Sequence, residues 1–239
     1  MKIALLGYGK MGQLIEKLAL EQGHEIVARI SLEEPLEQQS EALKAAEVAI
    51  EFSVPSMAIK HINTCMDLGL PVVVGTTGWY DQLETIRERC RRMGAAVLYA
   101  SNFSVGVHLF WHLVDEAAKL LHHYPAYRVG LHEIHHTAKL DAPSGTAITT
   151  AEKVMNHYPQ IKKWKEGSSD DETLGIHSER IGQVPGTHEL LFQSVHDIIS
   201  IRHEALNRLG FAEGALQAAL WLKGKQGFFS IDDWLKSRI

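Results

Sequence analysis

Two cysteines in 239 residues are too few for a disulfide framework. Cys65 and Cys90 each fall in a stretch with helical periodicity and no metal-ligand spacing, so both are expected to be reduced, structural thiols. Long apolar runs are missing as well. No stretch approaches the roughly 20 apolar residues of a membrane helix, and residues 2–6, ahead of the first glycine, are too short for a secretory apolar region. The expected compartment is therefore the cytoplasm, with no membrane partner. A basic excess is also absent: 24 Lys and Arg face 29 Asp and Glu, a formal net charge of -5. Such a chain lacks the positive surface a nucleic acid needs, and an acidic ligand must be met by a local cluster of cations. Internal repeats and low-complexity segments are lacking too. The 45% hydrophobic and 22% charged residues describe a globular chain, long enough for two domains with a core each.

Short apolar runs at 2–6, 25–30, 48–52, 71–74 and 95–99 alternate with amphipathic helical patterns at 11–22, 55–68 and 80–93. Pro55 sits at a first-turn position of the second helix. This alternation predicts an α/β unit with a parallel, doubly wound sheet. The connection 31–46 has room for one small helix. After residue 102 the character changes. An apolar helix is expected over 105–122, a strand over 127–136, a helix from about Ser144, an exposed mobile loop over 162–179, and two strands, 189–195 and 198–204, flanking a turn at His196-Asp197. An apolar helix over 211–222 follows.

The most specific short motif is Gly7-Tyr8-Gly9-Lys10-Met11-Gly12, a GxGxxG directly after the first strand and directly before a helix. The first glycine permits the tight turn, the second lets the backbone approach a pyrophosphate, and the third allows close helix-on-strand packing, while free amides at the helix start face the phosphates. In that context the motif predicts a dinucleotide site rather than an ordinary turn. The acidic residue that usually holds the adenosine ribose, about 20 residues on, is lacking. Ser31 occupies the end of the second strand, with Arg29 two residues before it and Glu33 and Glu34 after it. With no carboxylate to repel a 2′-phosphate, and Arg29 or Lys10 to attract one, NADPH or NADH is the expected cofactor.

The densest chemistry lies in His132-Glu133-Ile134-His135-His136-Thr137-Ala138-Lys139, followed by Asp141-Ala142-Pro143-Ser144-Gly145-Thr146. Histidine exchanges a proton near neutral pH, and Lys139 can neutralise an acidic substrate. Ser144, Gly145 and Thr146 stand where a helix begins, so their amides and hydroxyls suit a carboxylate. His132, Glu133 and His136 also satisfy the HExxH zinc pattern. That pattern needs a helix to bring its histidines together, and this segment alternates as a strand, so no metal is expected.

Taken together the chain resembles the bacterial dihydrodipicolinate reductase family, now named 4-hydroxy-tetrahydrodipicolinate reductase. The strongest element is residues 133–147, similar to the family signature of paired histidines, a lysine and DAPSGTA. Gly75-Thr76-Thr77-Gly78, residues 100–107 and residues 180–188 support it in the same order. The resemblance implies an N-terminal Rossmann-type parallel sheet and a second α+β domain that binds substrate and oligomerises. In it, residues 1–103 and 206–239 bind the dinucleotide, and residues 104–205 bind the substrate and build a homotetramer. It further implies that Phe52, Gly75, Thr76, Thr77, Ala100, Ser101, Asn102 and Phe103 border the nicotinamide half.

The implied oxidoreductase activity is NAD(P)H-dependent reduction of a cyclic, conjugated imine dicarboxylate in the diaminopimelate route of lysine biosynthesis. Hydride addition leaves an enamine-like intermediate that must be protonated. His135 is the expected acid and Lys139 its catalytic partner, while His136, Ser144, Gly145 and Thr146 hold carboxylates. Two other readings compete. A nucleotide-binding redox sensor would not need the His135–Lys139 pair, and an amino-acid dehydrogenase of similar architecture would act on a smaller imine.

Overall fold

The computed structural model describes residues 1–31 and 36–238, so Glu33 and Glu34 lie outside the described residues. The chain divides into two compact units, Met1–Ser104 with Leu209–Ile239, and Val105–Arg208.

The first unit begins β1 (Lys2–Leu6), α1 (Lys10–Glu21) and β2 (Glu25–Ile30). A 3-10 turn (Leu36–Gln39) runs into α2 (Ser40–Ala45), then come β3 (Val48–Glu51), α3 (Pro55–Asp67), β4 (Val72–Val74), a 3-10 turn (Tyr80–Gln82), α4 (Leu83–Met93) and β5 (Ala96–Tyr99). The second unit holds α5 (Val105–Leu121), β6 (Arg128–His135), α6 (Gly145–Met155), β7 (Lys163–Glu166), β8 (Thr173–Arg180), β9 (Gly186–Gln193) and β10 (Ile198–Ala205). The chain then returns to the first unit with α7 (Leu209–Leu222), β11 (Gly227–Ser230) and α8 (Ile231–Lys236).

In the first unit six parallel strands stand in the order β11-β5-β4-β3-β1-β2. Helices cover both faces of such a sheet, which is why β3 and β4 read as continuous apolar runs with every residue buried. The strand order reverses between β1 and β3, and ligands of open parallel sheets bind beyond the carboxyl ends at that point. Alanine-rich α7 packs against α1 and the β3–β5 part of the sheet, and its buried Ala212, Ala215, Ala218 and Ala219 allow a close approach.

The second unit is a mixed sheet in the order β10-β9-β6-β8-β7. On α5, Val107, Phe110, Trp111, Val114, Ala118 and Leu121 recur three and four residues apart and pack with α6 over Leu131, Leu174, Ile176, Leu190 and Phe192. Trp111 Nε1 donates to Thr150 Oγ1 at 3.1 Å. The expected mobile loop over 162–179 is corrected here: 163–166 and 173–179 lie in two parallel strands. The segment is polar because β7 is an edge strand with one buried side at most, and β8 contributes its apolar residues inward at Leu174 and Ile176. β9 and β10 pair antiparallel across the four-residue turn 194–197, in which Ser194 Oγ accepts from the His196 and Asp197 amides.

Candidate functional site

The glycine turn separates packing from ligand access. A Cβ on Gly7 (φ +104°) would lie 2.2 Å from the Phe52 carbonyl oxygen, and one on Gly12 would lie 2.3 Å from that of Gly7. Both positions therefore need glycine for the chain to fold. A Cβ on Gly9 meets nothing within 4 Å, and Gly9 caps α1 with no side-chain hydrogen bond, leaving the helix-start amides open to a phosphate.

At the adenosine end the structure changes one expectation. Arg29 does not stand ready for a 2′-phosphate: its Nε donates to both Glu16 oxygens, at 3.0 and 3.2 Å, and its Nη2 also donates to Oε1. Tyr8 Oη donates to Oε2 of the same carboxylate. The Arg29 guanidinium holds the Glu16 carboxyl below its ordinary range. Glu16 is on α1, thirteen residues away in sequence, and only the packing of α1 on β2 joins them. Lys10 is exposed at the start of α1, and Ser31 follows β2 directly.

Beyond the carboxyl ends of β3 and β4, Met11, Phe52, Ser53, Pro55, Gly75, Thr76 and Thr77 line a cleft of about 300 Å³. Phe103 joins them through an aromatic contact with Phe52, centroids 5.8 Å apart. Ala100 is buried at the end of β5, Ser101 is exposed, and Asn102 Oδ1 accepts from the Ser104 amide at 2.8 Å, shaping that loop. The cleft rests on a pair that the sequence reading missed. Glu51 and His61 are both buried, with His61 Nδ1 3.2 Å from Glu51 Oε1. The Ser53 amide donates to that oxygen at 3.1 Å and to Thr76 Oγ1 at 2.8 Å.

In the second unit β6 alternates, so Glu133 and His135 both face inward, while His132 faces the opposite side of the sheet. Glu133 is fully buried. The Ser144 amide donates to its two oxygens at 3.1 and 3.2 Å, Arg180 Nη2 donates to Oε1 at 3.3 Å, and His135 Nδ1 and His188 Nε2 lie 3.4 and 3.6 Å from Oε2. Burial alone would raise the Glu133 pKa, but hydrogen bonds with His188 and Ser144 offset it and hold the carboxyl well below the usual carboxylate range. The His135 imidazole is pushed down to about 4 by burial, helped by His188, Lys139 and Arg180 and opposed by Glu133. Gly186 packs on this ring, where a Cβ would come 3.1 Å from Nε2.

The adjoining turn carries the remaining expected groups. Lys139 Nζ donates to both oxygens of Asp141 at 2.8 Å. Ser144 departs from its expected role in carboxylate binding: its amide is given to Glu133 and its hydroxyl accepts from the Ala147 amide as the helix cap, 3.1 Å from His188 Nε2. Gly145 and Thr146 begin α6, where amides have no carbonyl one turn earlier, and a Cβ on Gly145 would face open space. Arg208 Nη2 lies 3.5 Å from His136 Nε2. Arg208 was missed because 72 residues separate it from His136 and no local pattern marks it. Glu133 had a signal: on a strand, residues two apart share a face, which pairs it with His135.

Among the described residues two groups have metal-ligand spacing, His132-His177-Glu179 on the outer face of the sheet and Glu133-His135-His188 within. In the inner group the Arg180 guanidinium and the Ser144 amide already engage the carboxylate, an environment suited to an anion's neighbours rather than to a cation.

Family models for dihydrodipicolinate reductase match this chain at residues 1–103 for its N-terminus and 106–235 for its C-terminus. The chain belongs to the dihydrodipicolinate reductase family. A relative from Christiangramia forsetii, 4-hydroxy-tetrahydrodipicolinate reductase, is 44% identical over 98% of each chain. The reductase of the same name from Archaeoglobus fulgidus is 33% identical over 99% of this chain and 100% of its own. Among solved structures, dipicolinate-bound dihydrodipicolinate reductase from Paenisporosarcina sp. TG-14 aligns with a TM-score of 0.81 at 25% identity, covering 96% of this chain and 97% of that one. A probable dehydrogenase from Thermotoga maritima, 9% identical with a TM-score of 0.56 over 98% of this chain and 92% of its own, shares the fold. As a family member the chain is an NAD(P)H-dependent oxidoreductase that reduces 4-hydroxy-tetrahydrodipicolinate, by way of dihydrodipicolinate, in the diaminopimelate route to lysine. No helix among the described residues is long and apolar enough to cross a membrane.

Proposed function

We propose that the unit of residues 1–104 and 209–239 binds NAD(P)H, that residues 105–208 bind the dicarboxylate, and that His135 and Lys139 carry the protein's part of the chemistry. The observation that supports this most is the placement of His135: a buried imidazole at the end of β6, beside an ionised Glu133 and leading directly into Lys139 and the start of α6. NAD(P)H supplies the hydride when bound. Gly7, Gly9 and Gly12 shape the turn for its pyrophosphate, with Tyr8, Lys10 and Met11 around it, and Ser31 lies towards the adenosine ribose. Phe52, Gly75, Thr76, Thr77, Ala100, Ser101, Asn102 and Phe103 border the nicotinamide.

The substrate carboxylates are held by the Gly145 and Thr146 amides, by His136 with Arg208, and by Lys139, which exchanges Asp141 for the ligand. Ser144 caps the helix that presents those amides. Before the substrate enters, His135 is neutral at pH 7, because its environment disfavours a proton. Two carboxylates arriving beside it reverse that balance, since a nearby opposite charge favours the imidazolium. Substrate binding thus loads the acid. When hydride has been added to the conjugated imine, the electron-rich ring takes its proton from His135, and Lys139 stabilises the negative charge at the reacting end.

The test is NAD(P)H consumption on adding the condensation product of pyruvate and aspartate semialdehyde. Loss of a positioned proton donor costs about 100-fold to 10,000-fold, so His135→Gln should fall by that much in kcat. Lys139→Ala should also raise KM. Near-normal rates in both folded variants at saturating substrate would overturn the assignment. For assembly, we propose a homotetramer built on the second unit, whose sheet leaves one face uncovered by its own helices, with Ile198 58% exposed there. Light scattering that gave a monomer at micromolar concentration would refute it. The compartment we propose is the cytoplasm, where this substrate would be made.

A further inference from the structure

We propose that Glu133 is a positioning residue of the reduction: its single buried carboxylate fixes the proton donor and the anion-binding helix start relative to one another. The inference rests on the reading of His135 as the acid. A carboxylate with no solvent exposure is costly to keep ionised and survives only where several donors engage it. Here the donors are the parts of the site itself. The Ser144 amide, which carries the helix start with Gly145 and Thr146, is bonded to both oxygens, and His135 Nδ1 faces Oε2 at 3.4 Å, an ion-pair distance rather than a hydrogen bond. Arg180, 47 residues away on β8, donates to Oε1 at 3.3 Å and to the Asp141 carbonyl at 2.5 Å, which ties the Lys139–Asp141 turn to the same anchor.

Several elements packed around the carboxylate bring basic side chains. Arg180 comes from β8 and His188 from β9, and His203 of β10 interacts electrostatically with His188. Lys139 comes from the turn, where Asp141 is already paired with it. Burial, His188, Lys139 and Arg180 all oppose a proton on His135, whereas Glu133 favours it. A neutral residue of the same shape would keep the packing and lose that support. Glu133 therefore acts through His135 in two ways, by favouring the imidazolium that the substrate's arrival produces and by drawing the Nδ1 side of that charged ring towards itself. Neither requires it to touch the substrate.

The experiment is a double-mutant cycle of Glu133→Gln and His135→Gln, with kcat and KM followed across pH at saturating NADPH. Glu133→Gln alone should lower kcat about 10-fold to 100-fold with KM changed less. It should also move the alkaline limb of kcat down by about one pH unit or more, the size of shift expected from removing an adjacent opposite charge. In the His135→Gln background the same change should slow the enzyme less than about 2-fold, because residues acting as a unit are not additive. A loss that is as large in that background as in the wild type, or an unmoved limb, would overturn the proposal and leave Glu133 a fold residue. His135→Gln with a near-normal rate would overturn the acid assignment and the proposal together. A slow His135→Gln beside a normal Glu133→Gln would overturn the proposal alone. Folding is checked by far-UV circular dichroism and NADPH affinity. If Glu133→Gln fails that check, Glu133→Asp decides: it keeps the charge one methylene further back, so kcat should fall while the limb stays at its wild-type pH, and a limb displaced downwards would overturn the proposal.

Discussion

Gly9→Asp tests the cofactor site without disturbing the fold. The three glycines of the turn are unequal: a side chain on Gly7 or Gly12 would run into backbone oxygen at 2.2 or 2.3 Å, whereas one on Gly9 enters open space. Gly9 also has φ -84° and ψ -158°, accessible to any residue, so an aspartate there carries no backbone strain. Its carboxylate would occupy the space the pyrophosphate needs, one negative charge against another. Two unit charges about 4 Å apart cost about 1 kcal/mol in bulk water and about 4 kcal/mol at the effective dielectric near a protein surface, or roughly 5-fold to 1,000-fold in affinity. NADH and NADPH should lose equally, because both carry the pyrophosphate. The assay is quenching of tryptophan fluorescence by each nucleotide, with the urea midpoint measured alongside. Unchanged affinity in a variant of wild-type stability would refute the turn as a phosphate site. Equal destabilisation by Gly9→Asp and Gly12→Asp would refute the division of the glycines into packing and access positions.

Glu16→Gln should raise the NADPH-to-NADH preference, because it frees the Arg29 guanidinium that Glu16 now holds; a preference left unchanged would show that Arg29 does not reach the 2′-phosphate. Arg208→Ala should raise KM for the dicarboxylate by roughly 10-fold with little change in NADPH affinity, as for loss of a charged hydrogen bond, and an unaltered KM would remove it from the carboxylate site. Stability should decline as pH falls from the ordinary histidine value of 6.5 towards about 4, because the unfolded chain takes up a proton on His135 that the fold rejects. Glu133, whose pKa is lowered, adds a further loss below 4.5. Urea midpoints for His135→Gln should therefore depend less on pH across that upper range, and identical slopes for variant and wild type would contradict the assignment. Finally, turnover should survive a strong chelator; activity abolished by chelation and restored by zinc would revive the metal reading of the histidine cluster.

The Rossmann unit was legible along the chain, as was the clustering of histidines and a lysine that the proposed chemistry at the end of β6 draws on. A strand, a GxGxxG and a helix in immediate succession form a local device whose geometry follows from backbone rules, so the tight turn at Gly7 and the close packing at Gly12 could be expected before any fold was known. The run from His132 to Thr146 was likewise legible because its strand, turn and helix start are contiguous, and alternation on that strand separates the two histidines of the HExxH pattern. Segment 162–179 resembles a loop because its edge strand β7 and the turn after it are polar and solvated, which hides the short apolar stretch of β8. Pairings between distant residues emerge only from the fold: Glu16 with Arg29, Glu51 with His61, Arg180 and Ser144 with Glu133, Arg208 with His136. Each joins different strands, helices or turns, and no periodicity along the chain encodes a partner across the sheet. The physical reason is that a buried charge must find its counter-charge in space, so the residues that set the state of Arg29 and His135 are chosen by packing rather than by their place in the sequence.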